Sequence, residues 1–144
     1  MTHVGYTSSM LTIKTLVKES EIEGLGLFAT EKIPKGTTVW RFDPRFDLYF
    51  EPAEVEIMGT LQKDLIDRYA YLSTTVGKYV YCADDARFMN HSARNNNVDI
   101  VPFPGEPETR AVASRDIEIG EEILVNYREI DTHDEASSEE YLDN

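Results

Sequence analysis

The residues of this chain that could do chemistry stand in two short blocks. The first is Asn90-His91-Ser92, which follows the apolar Phe88-Met89, and the second is Asn126-Tyr127 at the end of an apolar run. An asparagine side chain offers a carbonyl acceptor and an amide donor, so it can hold the ammonium or the carboxylate of a ligand. A tyrosine phenol, with a reference pKa of about 10, stays neutral at pH 7 and can line a channel while forming a hydrogen bond. These residue types predict a site that binds a small ligand beside a channel.

Each block also has a simpler interpretation. A buried Asn-His pair is usually a satisfied hydrogen-bond network, and a tyrosine at a strand end is more often a core or rim aromatic. We assign no catalytic-base role to His91. The three histidines are far apart in the sequence, so no metal site is expected. The single cysteine, Cys82, cannot form an internal disulfide or a cysteine-built zinc cluster, and is interpreted as a small buried hydrophobe.

Two further patterns are candidates for binding. Gly24-Leu25-Gly26 would let the backbone approach a ligand with no Cβ in the way, although a plain tight turn explains it as well. No third glycine or helix start follows, which excludes a dinucleotide fingerprint. Tyr79 and Tyr81 alternate on a predicted strand and could share one face, either as a packed aromatic pair or as the wall of a channel.

The elements that must position these residues follow from periodicity. β-branched and alternating segments predict strands at residues 11–17, 37–42, 79–82, 98–101, 109–113 and 122–125. Apolar residues between Pro52 and Leu72 recur at spacings of three and four, which predicts helix, with Gly59 breaking it into two. The predicted fold class is therefore mainly β with a small helical insert at about 52–72. Strands and helices do not alternate, which excludes a Rossmann-type architecture.

Composition bounds the class of protein. A chain of 144 residues with 41% hydrophobic content suits one domain with one core. Its apolar runs are far shorter than the about 20 residues that a membrane crossing needs, and the N-terminus does not resemble a signal peptide. We therefore expect a soluble, intracellular protein that does not bind membranes.

The net charge of −13 bears on partners. Residues 129–144 contain seven acidic side chains and no Lys or Arg, which predicts an acidic C-terminal tail. The electric field of so acidic a chain repels nucleic acid and attracts basic proteins. A need for solubility alone would also explain the acidic composition.

Three blocks, in this order, resemble the signature segments of SET-domain protein lysine methyltransferases, in a compact form without zinc-binding flanks: Gly24–Ala29, Arg87–Ser92 and Gly120–Tyr127. The resemblance covers roughly residues 11–128. It implies several small curved β-sheets around the helical insert, with knot-like threading of the C-terminal strands. A flexible N-terminus at residues 1–10 and the acidic tail at 129–144 would flank this domain.

The resemblance also implies roles for individual residues. The cofactor would be S-adenosyl-L-methionine, and Tyr127 would be both catalytic and in contact with it. The other implied cofactor-binding residues are Gly24, Leu25, Gly26, Arg87, Phe88, Asn90 and His91, and the implied channel residues are Tyr79, Tyr81 and Val125. Tyr141 is a weaker candidate for covering the adenine.

The chain departs from the family pattern at three places. Asn95 stands where the family usually has Pro, with Asn96 aligned to the usual Asn, and Cys82 stands where Asp is usual. Asn126-Tyr127 is a variant of the usual Asp-Tyr. None of these changes removes a group that the chemistry requires.

The mechanism that the resemblance implies rests on charge. A lysine amine has a reference pKa near 10.4, so about one molecule in 10³ is neutral at pH 7. An adjacent sulfonium and burial in an apolar channel both favour the neutral amine, so water could take the proton and alignment would be the main task of the protein. The implied substrate is a basic, lysine-containing protein, histone-like or not. The alternative is a non-catalytic module that binds basic proteins. The sequence does not decide how many methyl groups are transferred. It also leaves the oligomeric state open, and a homodimer is one option.

Overall fold

The computed structural model describes residues 10–144, so the predicted flexible N-terminus lies outside the described residues except for Met10. Within this range the chain forms eleven short strands. They are β1 (Met10–Leu11), β2 (Thr15–Glu19), β3 (Leu25–Ala29), β4 (Thr38–Arg41), β5 (Asp47–Phe50), β6 (Ala70–Leu72), β7 (Tyr79–Cys82), β8 (Asn90–His91), β9 (Val98–Val101), β10 (Arg110–Ala113) and β11 (Leu124–Val125).

The strands form four small sheets rather than one large one. Their orders are β1-β4-β10-β9, β2-β3, β5-β7-β6 and β11-β8, and only the last pair is parallel among the described strands. Residues from three of these sheets meet in one core, including Leu27, Val39, Val80 and Val98, each 0% exposed. The predicted class, mainly β with a small helical insert, is confirmed.

The helical insert is shorter than predicted. It contains α1 (Pro52–Glu56) and α2 (Thr60–Tyr69), with Gly59 between them as expected; its N–H donates to the side chain of Gln62 at 3.0 Å. The prediction that helix continues to residue 72 is wrong, because Ala70–Leu72 turns into β6 and pairs with β7. None of the described helices is long and apolar enough to cross a membrane.

Two strand predictions also need correction. The predicted strand at residues 11–17 is two strands, β1 and β2, which belong to different sheets. β5 was not predicted at all, because its burial is the reverse of its hydrophobicity: Asp47 is buried and Leu48 is exposed.

The acidic C-terminal segment, residues 129–144, has regular structure. It contains the end of α3 (Tyr127–Ile130), α4 (Thr132–Ala136) and a 3-10 helix (Glu140–Asp143), in which Leu142 is 0% exposed. Asp131 fastens it to the domain: its Oδ1 accepts the N–H groups of His133 and Asp134, and its Oδ2 accepts the N–H of Leu72. The segment therefore covers the outer edge of β6.

The buried Asp47 carboxyl gives a testable prediction about stability. Burial, reinforced by the charges of Asp84 and Asp43, raises its pKa from 3.8 to about 6, and its Oδ2 accepts the N–H of Asp43 at 2.7 Å. As the pH rises from about 4 to 6 the unfolded state loses this proton before the folded state does, so the folded state loses stability across that window. At pH 7 a buried carboxylate remains, at a cost of roughly 1–3 kcal/mol.

Asp47→Asn keeps an acceptor for Asp43 and removes the charge. We expect it to raise the free energy of unfolding by about 1–2 kcal/mol at pH 7.5, with the gain shrinking towards zero below pH 4. Urea unfolding at both pH values measures this difference. A gain that is the same at both would contradict the explanation by titration.

Candidate active site

The parallel pair of β8 and β11 brings the two predicted blocks together. Asn90 lies opposite Leu124 and His91 opposite Val125, so the Asn90 block runs beside the strand that leads to Tyr127. The N–H of Tyr127 donates to Nδ1 of His91 at 2.9 Å. Residues more than 30 positions apart in the sequence thus form one local structure.

Tyr127 is held at both its backbone and its hydroxyl. It begins α3 rather than ending a strand as predicted, since β11 stops at Val125 and Asn126 caps the helix by accepting the N–H of Arg128. Its hydroxyl donates to the carbonyl of Met89 at 2.8 Å. Burial, with a smaller contribution from Tyr141, raises the pKa of the phenol well above its ordinary value. The phenol therefore stays protonated and fixed in direction.

His91 has both ring nitrogens occupied. Because Nδ1 accepts the N–H of Tyr127, Nε2 must carry the proton, and it donates to the carbonyl of Leu142 at 2.9 Å. The ring is 7% exposed and lies edge-on to Tyr141, with their centroids 6.0 Å apart. His91 therefore links the Tyr127 backbone to the C-terminal segment, and this arrangement gives it no vacant nitrogen for acid-base chemistry.

Asn90 joins the glycine turn to the same structure. Its Nδ2 lies 3.0 Å from the carbonyl of Glu23, 3.1 Å from that of Leu25 and 2.9 Å from Oε2 of Glu122. All three neighbouring atoms are acceptors, so the amide nitrogen and not the amide oxygen of Asn90 must face them. This fixes the orientation of the side chain. No donor in residues 10–144 bonds Oδ1 of Asn90, so this oxygen remains an acceptor for a ligand.

Glu122 holds the glycine turn from the other side. Ser20 Oγ donates to both carboxylate oxygens, at 2.7 and 2.9 Å. Gly24 has a φ of +48°, a conformation that favours glycine, and a Cβ on Gly26 would lie 2.5 Å from Oε2 of Glu122. The sequence predicted the turn but not its partner, although Glu122 is part of the Gly120–Tyr127 block. Both glycines are thus required by the local geometry.

A double-mutant cycle tests this contact. Gly26→Ala should lower the free energy of unfolding by about 1–3 kcal/mol, because the new methyl group displaces a carboxylate that two side chains hold. In a Glu122→Ala background the same change should cost at least about 1 kcal/mol less, since the displaced group is absent. Denaturant unfolding of the four proteins gives the coupling energy. Additive effects would show that Gly26 is required for another reason.

A cavity of about 380 Å³ opens beside Tyr127. Its aromatic walls are Trp40, Tyr69, Tyr71, Tyr79, Tyr127 and Tyr141, and its acidic and basic lining residues are Asp67, Arg68, Arg87, Asp131, His133 and Asp134. An apolar wall with a few converging polar groups is typical of a ligand site.

Four of the predicted site residues line this cavity: Tyr79, Arg87, Val125 and Tyr127. Tyr81, predicted for the channel, does not; it packs edge-on against Tyr69, as Phe88 does, at centroid distances of 6.5 and 5.9 Å. Tyr81 therefore contacts a residue of the cavity wall without lining the cavity itself. The guanidinium of Arg87 stacks on Phe88, 4.7 Å from the ring centroid, and Nη1 donates to the carbonyl of Ala83.

The remaining predicted residues do not line this cavity. They are Gly24, Leu25, Gly26, Asn90 and His91. The Asn90 amide bonds the glycine turn, and the His91 ring bonds the N–H of Tyr127, which does line the cavity.

Comparison with known proteins identifies the family of this chain. The family model of the SET domain matches residues 24–128, well over half of the chain. The chain belongs to the SET-domain family. A crystal structure of a Plasmodium falciparum protein described as a candidate histone methyltransferase shares the fold, with a TM-score of 0.52 and 21% identity over 78% of this chain and 90% of that one. A comparison with curated proteins finds no match.

One asparagine of this SET domain was not singled out from the sequence. Asn97 is buried at 1% exposure; its Nδ2 donates to the carbonyl of Glu122 and its Oδ1 accepts the N–H of Leu124. The amide of Asn96 bonds the nearby carbonyl of Val98. In a run of three asparagines without the usual proline, the sequence alone could not identify the one that bridges to β11.

Three potential metal ligands do lie together in the SET domain. Atoms of Asp47, Cys82 and Asp84 are within 4.8 Å of one another. Both oxygens of Asp84 accept backbone N–H groups, from Leu11 and Ala86, and burial raises the pKa of Cys82 well above its ordinary value, which keeps it a thiol. These contacts fit a structural role, in which the cluster connects β1 and β5 to β7. That the protein binds no metal remains a prediction.

Proposed function

We propose that this SET domain transfers a methyl group from S-adenosyl-L-methionine to the ε-amine of lysine in a basic protein. One observation carries the proposal: Tyr127 lines an aromatic cavity suited to a lysine side chain, and its hydroxyl bonds the carbonyl of Met89. Met89 is followed in the chain by Asn90, whose amide joins the glycine turn in an environment suited to the cofactor. S-adenosyl-L-methionine, when bound, supplies a methyl group activated on a sulfonium.

The residues present fit the cofactor. Asn90 Oδ1, with no donor in the described chain, can accept from its ammonium, and the Gly24-Leu25-Gly26 turn offers backbone without an intruding Cβ. His91 is placed to offer its backbone, because its side chain is fully engaged. Arg87 and Phe88 support the pocket from the 3-10 helix Asp85–Phe88, and Tyr141, close to His91 and Tyr127, can cover it.

The aromatic cavity fits the substrate amine. Tyr79, Val125 and Tyr127 would form a narrow, largely apolar passage for the four methylenes of lysine. Burial there disfavours the ammonium relative to the amine, which has to be neutral to attack a methyl carbon. The protein chiefly aligns the two reactants, which in such systems contributes several kcal/mol to lowering the barrier.

The charge of the protein supports a basic substrate. Asp67, Asp131 and Asp134 line the cavity, and the whole chain carries −13. Such a field attracts Lys/Arg-rich segments and repels nucleic acid. The similarity to a candidate histone methyltransferase is in keeping with histones or histone-like proteins as one class of target. The same acidic surface also favours the second candidate, a module that binds basic proteins without catalysis.

Methyl transfer from labelled cofactor into a panel of basic proteins tests both candidates. We expect methyllysine by mass spectrometry and cofactor binding by calorimetry. Absence of both across the panel would overturn the proposed activity. Binding of basic proteins that needs no cofactor and survives Tyr127→Phe, with no methyllysine, would establish the non-catalytic alternative.

A further inference from the structure

The lysine ammonium must lose a proton before its nitrogen can attack a methyl group. Tyr127 is not the acceptor, because its hydroxyl donates to Met89 and burial raises the pKa of the phenol. His91 is not the acceptor either, since both of its nitrogens are engaged. The proton therefore leaves either directly to water or through another group that lines the cavity.

His133 and Tyr79 form a hydrogen-bonded pair in the wall of that cavity. Nε2 of His133 is 3.1 Å from the Tyr79 hydroxyl, and the ring centroids are 6.3 Å apart. Both side chains line the cavity together with Tyr127. His133 is otherwise exposed, so a proton that reaches its ring can pass to solvent.

The position of His133 is set by the start of α4. Its backbone N–H donates to Oδ1 of Asp131 at 2.8 Å, while Oδ2 of the same carboxylate accepts the N–H of Leu72 on β6. The backbone of His133 is therefore attached to the sheet that also carries Tyr79 on β7, and the hydrogen bond to Tyr79 orients its imidazole. A fixed position and orientation suit a side chain that accepts a proton from a bound substrate.

We propose that His133 accepts the proton of the substrate ammonium through the Tyr79 hydroxyl. The inference rests on the proposed lysine methyltransferase activity. The ammonium N–H bond breaks as its proton passes to the Tyr79 oxygen, while the Tyr79 O–H proton passes to Nε2 of His133. Imidazolium and a neutral amine result. The amine lone pair then forms the N–C bond as the C–S bond breaks, and its electrons stay on sulfur as a neutral thioether. His133 later releases its proton to water.

Titratable groups from several elements line the cavity around the pair. Asp131 caps α4, Asp134 lies on α4, and Asp67 and Arg68 lie on α2. Tyr127 on α3, Tyr141 on the C-terminal 3-10 helix and Arg87 on the 3-10 helix Asp85–Phe88 line it as well. Burial raises the pKa of Tyr79, so its oxygen passes the proton on rather than remaining a phenolate.

The test compares the pH dependence of kcat/KM for wild type and His133→Gln at saturating cofactor. The Gln amide can still accept from the Tyr79 hydroxyl but cannot take up a proton. We expect a loss of about 10²-fold at pH 7, which shrinks steadily towards pH 9.5 as the substrate amine loses its proton unaided. Tyr79→Phe should show the same pH-dependent loss. Tyr81→Phe, on the same strand but outside the cavity lining, should match wild type.

The outcomes separate this inference from the proposed function. Unchanged cofactor affinity and melting temperature in His133→Gln would confirm that the fold is intact. A loss of equal size at every pH would indicate a structural role and overturn the relay, as would no loss at all. If wild type transfers no methyl group at any pH, the proposed function fails and the relay fails with it.

Discussion

Tyr127→Phe is expected to reduce methyl transfer by about 10²–10³-fold while leaving cofactor affinity within about twofold. Losses of this size are typical when one fixed polar group at a reacting centre is removed. The substitution removes the hydroxyl that Met89 holds, but it keeps the backbone bond from Tyr127 to His91 and the aromatic wall. Single-turnover rates and calorimetric affinities measure the two effects separately.

The matched control is Tyr141→Phe, which removes a hydroxyl from another tyrosine lining the same cavity. It should change the rate by less than about threefold, because Tyr141 is 48% exposed and water can replace its hydroxyl. Equal losses in both variants would mean that Tyr127 acts only through general packing. Parallel loss of cofactor affinity in Tyr127→Phe would assign it to binding and not to the chemical step.

Asn90→Ala should weaken cofactor binding by about 10²-fold, equivalent to about 2.7 kcal/mol. The change removes the Oδ1 acceptor and also leaves the carbonyls of Glu23 and Leu25 without their donor, so the glycine turn loses its attachment to β8. An unpaired polar group costs about 1–3 kcal/mol, which makes a loss of this size reasonable. Isothermal titration with S-adenosyl-L-methionine gives the affinity directly.

Asn96→Ala is the corresponding control, because within residues 10–144 the side-chain amide of Asn96 bonds just the carbonyl of Val98. Its cofactor affinity should remain within about twofold of wild type. If Asn90→Ala binds the cofactor as tightly as wild type does, Asn90 is a structural tie for the turn and the cofactor is held elsewhere.

The sequence predicted best those elements whose burial follows their hydrophobicity. β7 and β9 have the predicted bounds: β7 alternates between half-buried and buried residues, and in β9 the charged Asp99 is the exposed residue among apolar ones. β5 was missed because a carboxyl group, Asp47, occupies its buried position. The end of α2 was misplaced because Leu72 continues the helical period although it lies on a strand.

The candidate site could be predicted only as far as short motifs reach. Asn90, Tyr127 and the glycine turn were identified, and the structure places them side by side. Their partners were not, since Ser20 and Glu122 are 102 positions apart and no local pattern links them. His133 and Leu142 were hidden by the acidic residues around them, which made a folded segment resemble a solvated tail.

The carbonyl of Leu142 orients His91 across 51 positions of sequence. During synthesis, β8 is therefore made well before the segment whose carbonyl orients the His91 ring. A nascent chain lacking that segment has its core strands but no fixed tautomer at His91 and no support for the Tyr127 backbone. Competence to bind ligand would then appear late, as a step distinct from collapse of the core, and mild proteolysis near residue 137 would reverse it without unfolding the sheets.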